Sequence, residues 1–111
     1  MTIALYPGAF KPPHKGHFDV VKKLLEIADK VIILISSKPR DGFTAEESVR
    51  VWDLYKHMLE GDIEIKISEN SPIKEVYNIV DENPNNNYIA GFGKGEIDRY
   101  KNITKYFYNL S

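Results

Sequence analysis

The sequence predicts an α/β fold: a Rossmann-like parallel sheet with helices on both faces, in a single domain of residues 1–111. Two observations predict it. Apolar runs of strand length alternate along the chain with segments of helical periodicity. One of those runs, Val31–Ser36, is rich in β-branched residues and contains no charge, which is typical of a strand buried on both faces of a parallel sheet. Hydrophobic residues make up 42% of the 111, enough for such a core.

The first β-α-β unit lies in the opening third of the chain. A strand at Ile3–Tyr6 ends at Pro7 and Gly8, and two further prolines keep the following loop extended. Apolar residues then recur at three- and four-residue steps over Phe18–Ala28, which predicts a helix. The strand Val31–Ser36 completes the unit, and we expect its crossover to be right-handed.

The rest of the chain continues this alternation. Thr44 stands three residues before Glu47, the spacing of a capping box at the start of a helix that Gly61 ends. Apolar and polar residues alternate strictly over Ile63–Ser68, which predicts a strand with one face more exposed to solvent, near an edge of the sheet. We further expect a helix from Ser71 and Pro72, a turn at Asn83–Asn87, a strand at Tyr88–Phe92, and finally either a helix over Ile97–Phe107 or a fifth strand at Tyr106–Leu110.

Composition and charge exclude several classes of protein. The formal net charge is -1, so no basic field draws the chain to nucleic acid or to an anionic membrane. The absence of cysteine excludes a disulfide scaffold, thiolate metal sites and thiol nucleophiles. No apolar run approaches the roughly 18 residues of a membrane span, and the first residues lack the pattern of a signal peptide. We therefore expect a cytoplasmic protein.

Three loops at the carboxyl ends of the predicted strands form the expected site. In an open α/β sheet, ligands bind outside these ends, where the strand order reverses. The loops are Pro7–His17, Ser36–Phe43 and Gly91–Glu96. Each contains glycine, and the first two also contain basic residues or imidazoles, a composition that favours a phosphate ligand.

His14 and His17 are the strongest candidates for chemistry. They lie three residues apart at the start of a predicted helix, where backbone N–H groups and the helix dipole favour phosphate. Gly16 and Gly8 leave the backbone open to that ligand, and preorganised donors to phosphate oxygens are worth about 3 kcal/mol each in a phosphoryl-transfer transition state. Metal ligation is disfavoured, because only His57 and scattered carboxylates remain as further ligands.

The segment Gly8–His17 resembles the G-x-F-x-P-x-H-x-G-H signature of the nucleotidyltransferase superfamily, the cytidylyltransferase-like proteins. Every fixed position matches: Gly8, Phe10, Pro12, His14, Gly16 and His17. This agreement disfavours the alternative that the histidines are merely exposed loop residues. Tyr6–Gly8 and Ala28–Ile32 also resemble phosphopantetheine adenylyltransferases, which usually carry threonine in place of His14. Phe43–Glu47 resembles archaeal nicotinamide-nucleotide adenylyltransferases, so the resemblance extends over residues 3–60.

The resemblance implies transfer of CMP or AMP from a nucleoside triphosphate to a phosphorylated small-molecule acceptor, with release of pyrophosphate and no covalent enzyme intermediate. It implies that His14 and His17 hold the triphosphate and stabilise the transition state, and that magnesium accompanies the phosphates. The choice between CTP and ATP stays open. The other residues implied are Gly8, Ala9, Phe10 and Gly16 in the nucleotide-binding loop, Lys38 and Arg40 at the acceptor phosphate, and Gly91, Gly93 and Lys94 in a loop for base and ribose.

Several departures from the family pattern leave alternatives open. Lys11 replaces an acidic or amide residue, so its ammonium group either binds the acceptor phosphate or points to solvent. Lys38 and Arg40 are either acceptor contacts or solvated loop charges. Ala9 replaces a residue with a polar side chain and removes one contact to the acceptor. The clustered aromatic residues, Trp52 among them, are expected in the core or on the surface of a homodimer.

The family's second signature, Ile-Ser-Ser-Thr-x-x-Arg or a variant, has no complete counterpart. Asn109–Ser111 resembles its beginning, which leads us to expect a C-terminally truncated chain; if 111 residues is the natural length, the γ-phosphate needs another binding site. This departure supports an alternative function, a catalytically weak nucleotide-binding module or one domain of a larger enzyme. A fragment of a class I aminoacyl-tRNA synthetase is a third interpretation, disfavoured by length and by the missing lysine-rich signature.

Overall fold

A computed structural model describes residues 1–92 and the backbone of residues 107–109. Strands and helices alternate along the chain as the sequence predicts. The elements are β1 (Thr2–Gly8), α1 (Lys15–Ile27), β2 (Lys30–Ser36), α2 (Ala45–His57), β3 (Asp62–Ser68), α3 (Pro72–Glu82), β4 (Asn87–Gly91) and β5 (Phe107–Asn109).

Within the described residues the strands form one sheet in the order β3-β2-β1-β4-β5. The first four strands are parallel, and β5 pairs antiparallel with β4. This confirms the predicted parallel sheet and the edge position of the alternating strand β3. Of the two predictions for the last residues, the fifth strand is confirmed at Phe107–Asn109. The alternative helix falls mostly on residues 93–106, outside the described part of the chain.

Helices cover both faces of the sheet, which confirms the predicted architecture. Helices α1 and α2 lie on one face, where their buried residues pack with those of the central strands; this core includes Tyr6, Phe10, Leu24, Ile33 and Trp52. Helix α3 covers the other face through a smaller core that includes Leu5, Leu34, Val76 and Tyr88. Right-handed crossovers explain why α1 and α2 lie on one face and α3 on the other. The chain moves in one direction from β1 to β3 and then in the opposite direction to β4, so the last crossover passes over the other face.

Strand β1 is longer than predicted and includes Pro7 and Gly8, which pair in register with Leu34 and Ile35 of β2. On its other side, β1 pairs with β4 only as far as Leu5. A proline at position 7 therefore removes no hydrogen bond from the β1–β4 ladder, so the strand continues through it.

None of the helices within residues 1–92 has the length and apolarity needed to cross a lipid bilayer.

Candidate functional site

Two of the three predicted loops meet at the carboxyl ends of β1 and β2. The β1–α1 loop carries the two histidines, and the β2–α2 loop lies beside it because the two strands pair as far as Gly8 and Ile35. Gly91 ends β4, the neighbour of β1 on the other side. The strand order reverses at β1, as predicted for a ligand site. Gly93 and Lys94 of the third loop lie outside the described residues.

His14 and His17 close the start of α1 by capping each other. The Nδ1 atom of His14, the N-cap residue, accepts a hydrogen bond of 3.0 Å from the N–H of Gly16. In return, Nδ1 of His17 accepts one of 3.0 Å from the N–H of His14. The two rings stack with centroids 3.8 Å apart and an angle of 24°. Because this reciprocal cap starts the helix at Lys15, α1 begins three residues earlier than the apolar periodicity predicted.

These hydrogen bonds determine the tautomer of both rings. An Nδ1 atom that accepts a hydrogen bond carries no proton, so the neutral imidazole holds its N–H at Nε2, on the far side of the ring. Burial, reinforced by the charge of His14, lowers the pKa of His17 to about 4. At neutral pH, His17 is therefore an uncharged donor whose Nε2–H is directed away from the helix backbone and is available to an anionic oxygen.

Phe10 packs against the ring of His17 from the β1–α1 loop. Its ring lies edge-on to the imidazole, with centroids 4.9 Å apart and planes at 88°. Phe10 is 4% exposed and has a φ of 52°, a left-handed conformation that places its ring under the loop. A Cβ atom on Gly8 would lie 2.7 Å from the Cζ atom of Phe10, so glycine is required there by the ring.

Gly16 leaves room for the imidazole of His14, since a Cβ atom at this position would lie 2.8 Å from the His14 Cε1 atom. The sequence predicted a backbone open to phosphate at Gly16. In the structure the Gly16 N–H donates to Nδ1 of His14 instead, so this amide is not free for the phosphate contact that was expected of it.

Lys11 joins the two loops. Its Nζ atom donates to the carbonyl oxygens of Ala9, at 2.6 Å, and of Ser36 at the end of β2, at 2.8 Å. Burial lowers its pKa, as does the charge of Arg40, while Glu46 acts in the opposite direction. The ammonium group therefore does not extend into solvent, and two of its three N–H groups are bound to the loops. One N–H remains for a ligand.

A cleft of about 400 Å³ opens beside Lys11, between the loops that follow β2 and β3; it is lined by Ser36, Ser37, Lys38, Glu69, Asn70, Ser71 and Pro72. Ser36 connects the cleft to the histidines, because its carbonyl holds Lys11. Lys38 borders the cleft. Arg40 is exposed, pairs in a turn with Phe43, and does not line the cleft.

Sequence reasoning missed the β3–α3 loop, whose residues Glu69–Ser71 form one wall of this cleft. The position of this loop in the sequence was a signal of a ligand site, because the loop also follows the carboxyl end of a parallel strand, where ligands bind. The loop lacks glycine and imidazole, and for that reason it was not selected. Its neighbour α3 starts with Pro72 at the first helical turn, as predicted, although Ser71 makes no side-chain cap.

The low pKa of His17 predicts a pH-dependent stability. The unfolded chain binds a proton at the ordinary pKa of 6.5 and the folded chain only at about 4, so protonation favours the unfolded state. The free energy of unfolding should be highest above pH 6.5 and should fall as the pH drops from 6.5 to about 4. Urea unfolding midpoints of the wild type and of His17→Asn, measured between pH 7.5 and 4.5, test this. An equal pH dependence in both proteins would contradict it.

The comparisons with known proteins agree with this geometry. The model of the cytidylyltransferase-like family matches residues 5–82. The chain is 40% identical over 67 residues to a phosphopantetheine adenylyltransferase of Aquifex aeolicus, covering 57% of this chain and 40% of the relative. It is 39% identical over 83 residues to a nicotinamide-nucleotide adenylyltransferase of Pyrobaculum aerophilum, covering 70% and 46%.

The chain thus spans less than half the length of either relative. The family match, in contrast, includes the histidine loop, β2, the capped helix α2 and the cleft-forming β3–α3 loop. These are the parts that carry the site geometry, and they place the chain in the cytidylyltransferase-like family of the nucleotidyltransferase superfamily.

Proposed function

We propose that this chain binds a nucleoside triphosphate through His14 and His17 and transfers its nucleotidyl group to a phosphorylated small molecule. The observation that carries the proposal is the mutual capping of the two imidazoles. The cap occupies the Nδ1 atoms of both rings, so their Nε2–H groups take no part in it, while burial and the charge of His14 lower the His17 pKa to about 4 and keep that ring neutral. Such preorganised donors stabilise the charge that develops on phosphate oxygens during transfer.

In this reaction an oxygen of the acceptor phosphate attacks the α-phosphorus, the bond to the β-phosphate breaks, and pyrophosphate leaves. No protein nucleophile is needed, because the attacking oxygen belongs to the acceptor. The Nε2–H groups of His14 and His17 would donate to the α-phosphate oxygens in the transition state. The remaining N–H of Lys11 would bind the incoming phosphate, since Lys11 lies between the histidine loop and the cleft.

The acceptor would occupy the cleft between the β2–α2 and β3–α3 loops. Lys38 supplies a positive charge there, and the hydroxyl and amide groups of Ser37 and Asn70 supply hydrogen bonds to a polar metabolite. Adenylyl transfer is favoured over cytidylyl transfer, because the relatives quoted above are named adenylyltransferases.

Magnesium would enter as part of the nucleotide. No three His, Asp or Glu side chains within residues 1–92 are grouped so that they could hold a metal ion. The described residues therefore form no all-protein cage for a magnesium ion. The cation would instead be carried by the triphosphate, and we assign no step to it.

The experiment is calorimetric titration of the chain with ATP, CTP and GTP in magnesium, followed by a pyrophosphate-release screen over phosphorylated acceptors. We expect binding of ATP, turnover with one acceptor class, and a raised KM for that acceptor in Lys38→Ala and Lys11→Met. Lys56→Ala, on α2 away from the cleft, is the matched control. Absence of heat with all three nucleotides would refute the proposal.

A second candidate is a nucleotide-binding module that performs no turnover by itself. The observation that favours it is that the chain spans less than half the length of the two relatives quoted above. This module would show the heat of nucleotide binding and no pyrophosphate release with any acceptor, and the same pair of assays therefore separates the two functions.

A further inference from the structure

Aromatic side chains from three parts of the fold surround the ring of His17. Phe10 of the β1–α1 loop lies edge-on to it at 4.9 Å between centroids, and Tyr6 of β1 lies at 6.4 Å. The third ring is Trp52 of α2, also 6.4 Å from His17. Trp52 packs edge-on against Phe10, at 5.2 Å, and against Tyr6, at 6.3 Å. It therefore supports both of the other rings that surround the imidazole.

Hydrogen bonding does not explain an indole at this position. Trp52 is 1% exposed, and its Nε1–H has no hydrogen-bond partner within the described residues. Burial of an unpartnered N–H lowers stability, so a purely structural position would favour phenylalanine. The advantage of the indole is its size, because a single ring system lies against Phe10, Tyr6 and Tyr55 and also lies near His17.

The cap and the stacking on His14 contact the imidazole of His17 at its Nδ1 atom and on one face. The remainder of the ring is held by the packing of its aromatic neighbours. For this packing α2 supplies a rigid support, because Thr44 and Glu47 close its first turn with a complete capping box. Trp52, 35 positions away from His17 in the chain, is thus part of the packing around its ring.

We propose that Trp52 is a positioning residue: through Phe10 and Tyr6 it fixes the His17 imidazole in the orientation that directs Nε2–H at the α-phosphate and keeps water from the buried side of the ring. The α-phosphate as the group that Nε2–H contacts rests on the proposed function. The orientation of the ring does not, so the two can fail separately. Burial and, after it, the charge of His14 lower the His17 pKa, and the rings of Phe10, Tyr6 and Trp52 pack around the imidazole.

The test uses Trp52→Phe, Trp52→Leu and Trp52→Met, with Ile32→Ala as control. Ile32 is buried in the other core, under α3, so this control loses packing without touching the aromatic cluster. Leucine and methionine both favour helix and fill apolar space, and methionine adapts to the site if leucine does not. Two kinds of measurement are made. NMR of the imidazole nitrogens gives the pKa and tautomer of His17, and steady-state kinetics gives kcat and KM for the nucleotide.

For the leucine and methionine variants we expect the His17 pKa to rise from about 4 toward 6.5 and a mixture of tautomers to form. We expect kcat to fall about 10- to 100-fold, the effect of a small misplacement of a reacting group, with little change in KM. Trp52→Phe keeps one ring in the cluster but not the size of the indole, so it should fall between the wild type and the leucine variant in both properties. Ile32→Ala should leave both unchanged. A His17 pKa and tautomer that stay the same in the leucine and methionine variants would overturn the inference, whether or not the wild type shows turnover.

Discussion

Replacing His17 by alanine should abolish turnover, with a loss of about 10²- to 10³-fold in kcat, while the fold is retained. The loss corresponds to one preorganised donor to the transition state, about 3 kcal/mol. The same change removes the acceptor of the His14 N–H, so the start of α1 should also lose stability, by about 1 kcal/mol, the usual effect of a lost cap. Pyrophosphate release and urea unfolding of the same samples measure the two effects.

Two variants make this result specific. His17→Asn keeps an amide that can accept from the His14 N–H, so it should recover the stability and little of the activity. His57→Ala is the matched control: His57 is an exposed histidine at the end of α2, and its Nδ1 atom lies 2.7 Å from the carbonyl oxygen of Asp53. Turnover of His17→Ala within threefold of the wild type would remove His17 from the mechanism.

Replacing Gly8 by alanine should impair both the fold and the site. The new Cβ atom would lie 2.7 Å from Cζ of Phe10 and about as close to the rest of the ring edge. Phe10 is buried and held at a φ of 52°, so the ring has little space into which to withdraw. Overpacking of this kind costs about 1–3 kcal/mol, and a shift of Phe10 moves His17, for which we expect a roughly 100-fold loss of kcat.

Two further variants identify crowding as the cause. Phe10→Leu combined with Gly8→Ala removes the ring edge, so the double variant should lose less stability than the sum of the two single changes, yet remain inactive. Gly42→Ala meets no atom within 4 Å and only strains a backbone with a φ of 79°, so it should cost stability without loss of kcat. Full activity in Gly8→Ala would show that Phe10 does not position His17.

Much of the fold was predictable because its signals are local. The burial of β2 is indicated by its unbroken apolar run. The start of α2 is indicated by the Thr44–Glu47 capping box, which the structure reproduces. The start of α1 was placed too late, because its first turn has no apolar periodicity and is formed by histidine caps instead.

The roles of Lys11 and of the cleft were not predictable in the same way. Whether the Lys11 ammonium binds a ligand or faces solvent depends on the carbonyl of Ser36, which is 25 residues away and adjacent only because β1 and β2 pair in parallel. The β3–α3 loop joins the site for a similar reason, since parallel strands bring their carboxyl ends to one edge. Its own residues carry no signature of a ligand site.

The sequence alone determined the alternation of strands and helices, the edge of the sheet that carries the loops, and the decapeptide Gly8–His17 with its two imidazoles. These follow from periodicity, turn residues and spacing, which are properties of neighbours along the chain. The tertiary structure decided that His17 is neutral and presents its Nε2–H. Burial against Phe10, Tyr6 and Trp52 lowers the His17 pKa to about 4, and this desolvation arises only when β1, the β1–α1 loop and α2 pack together.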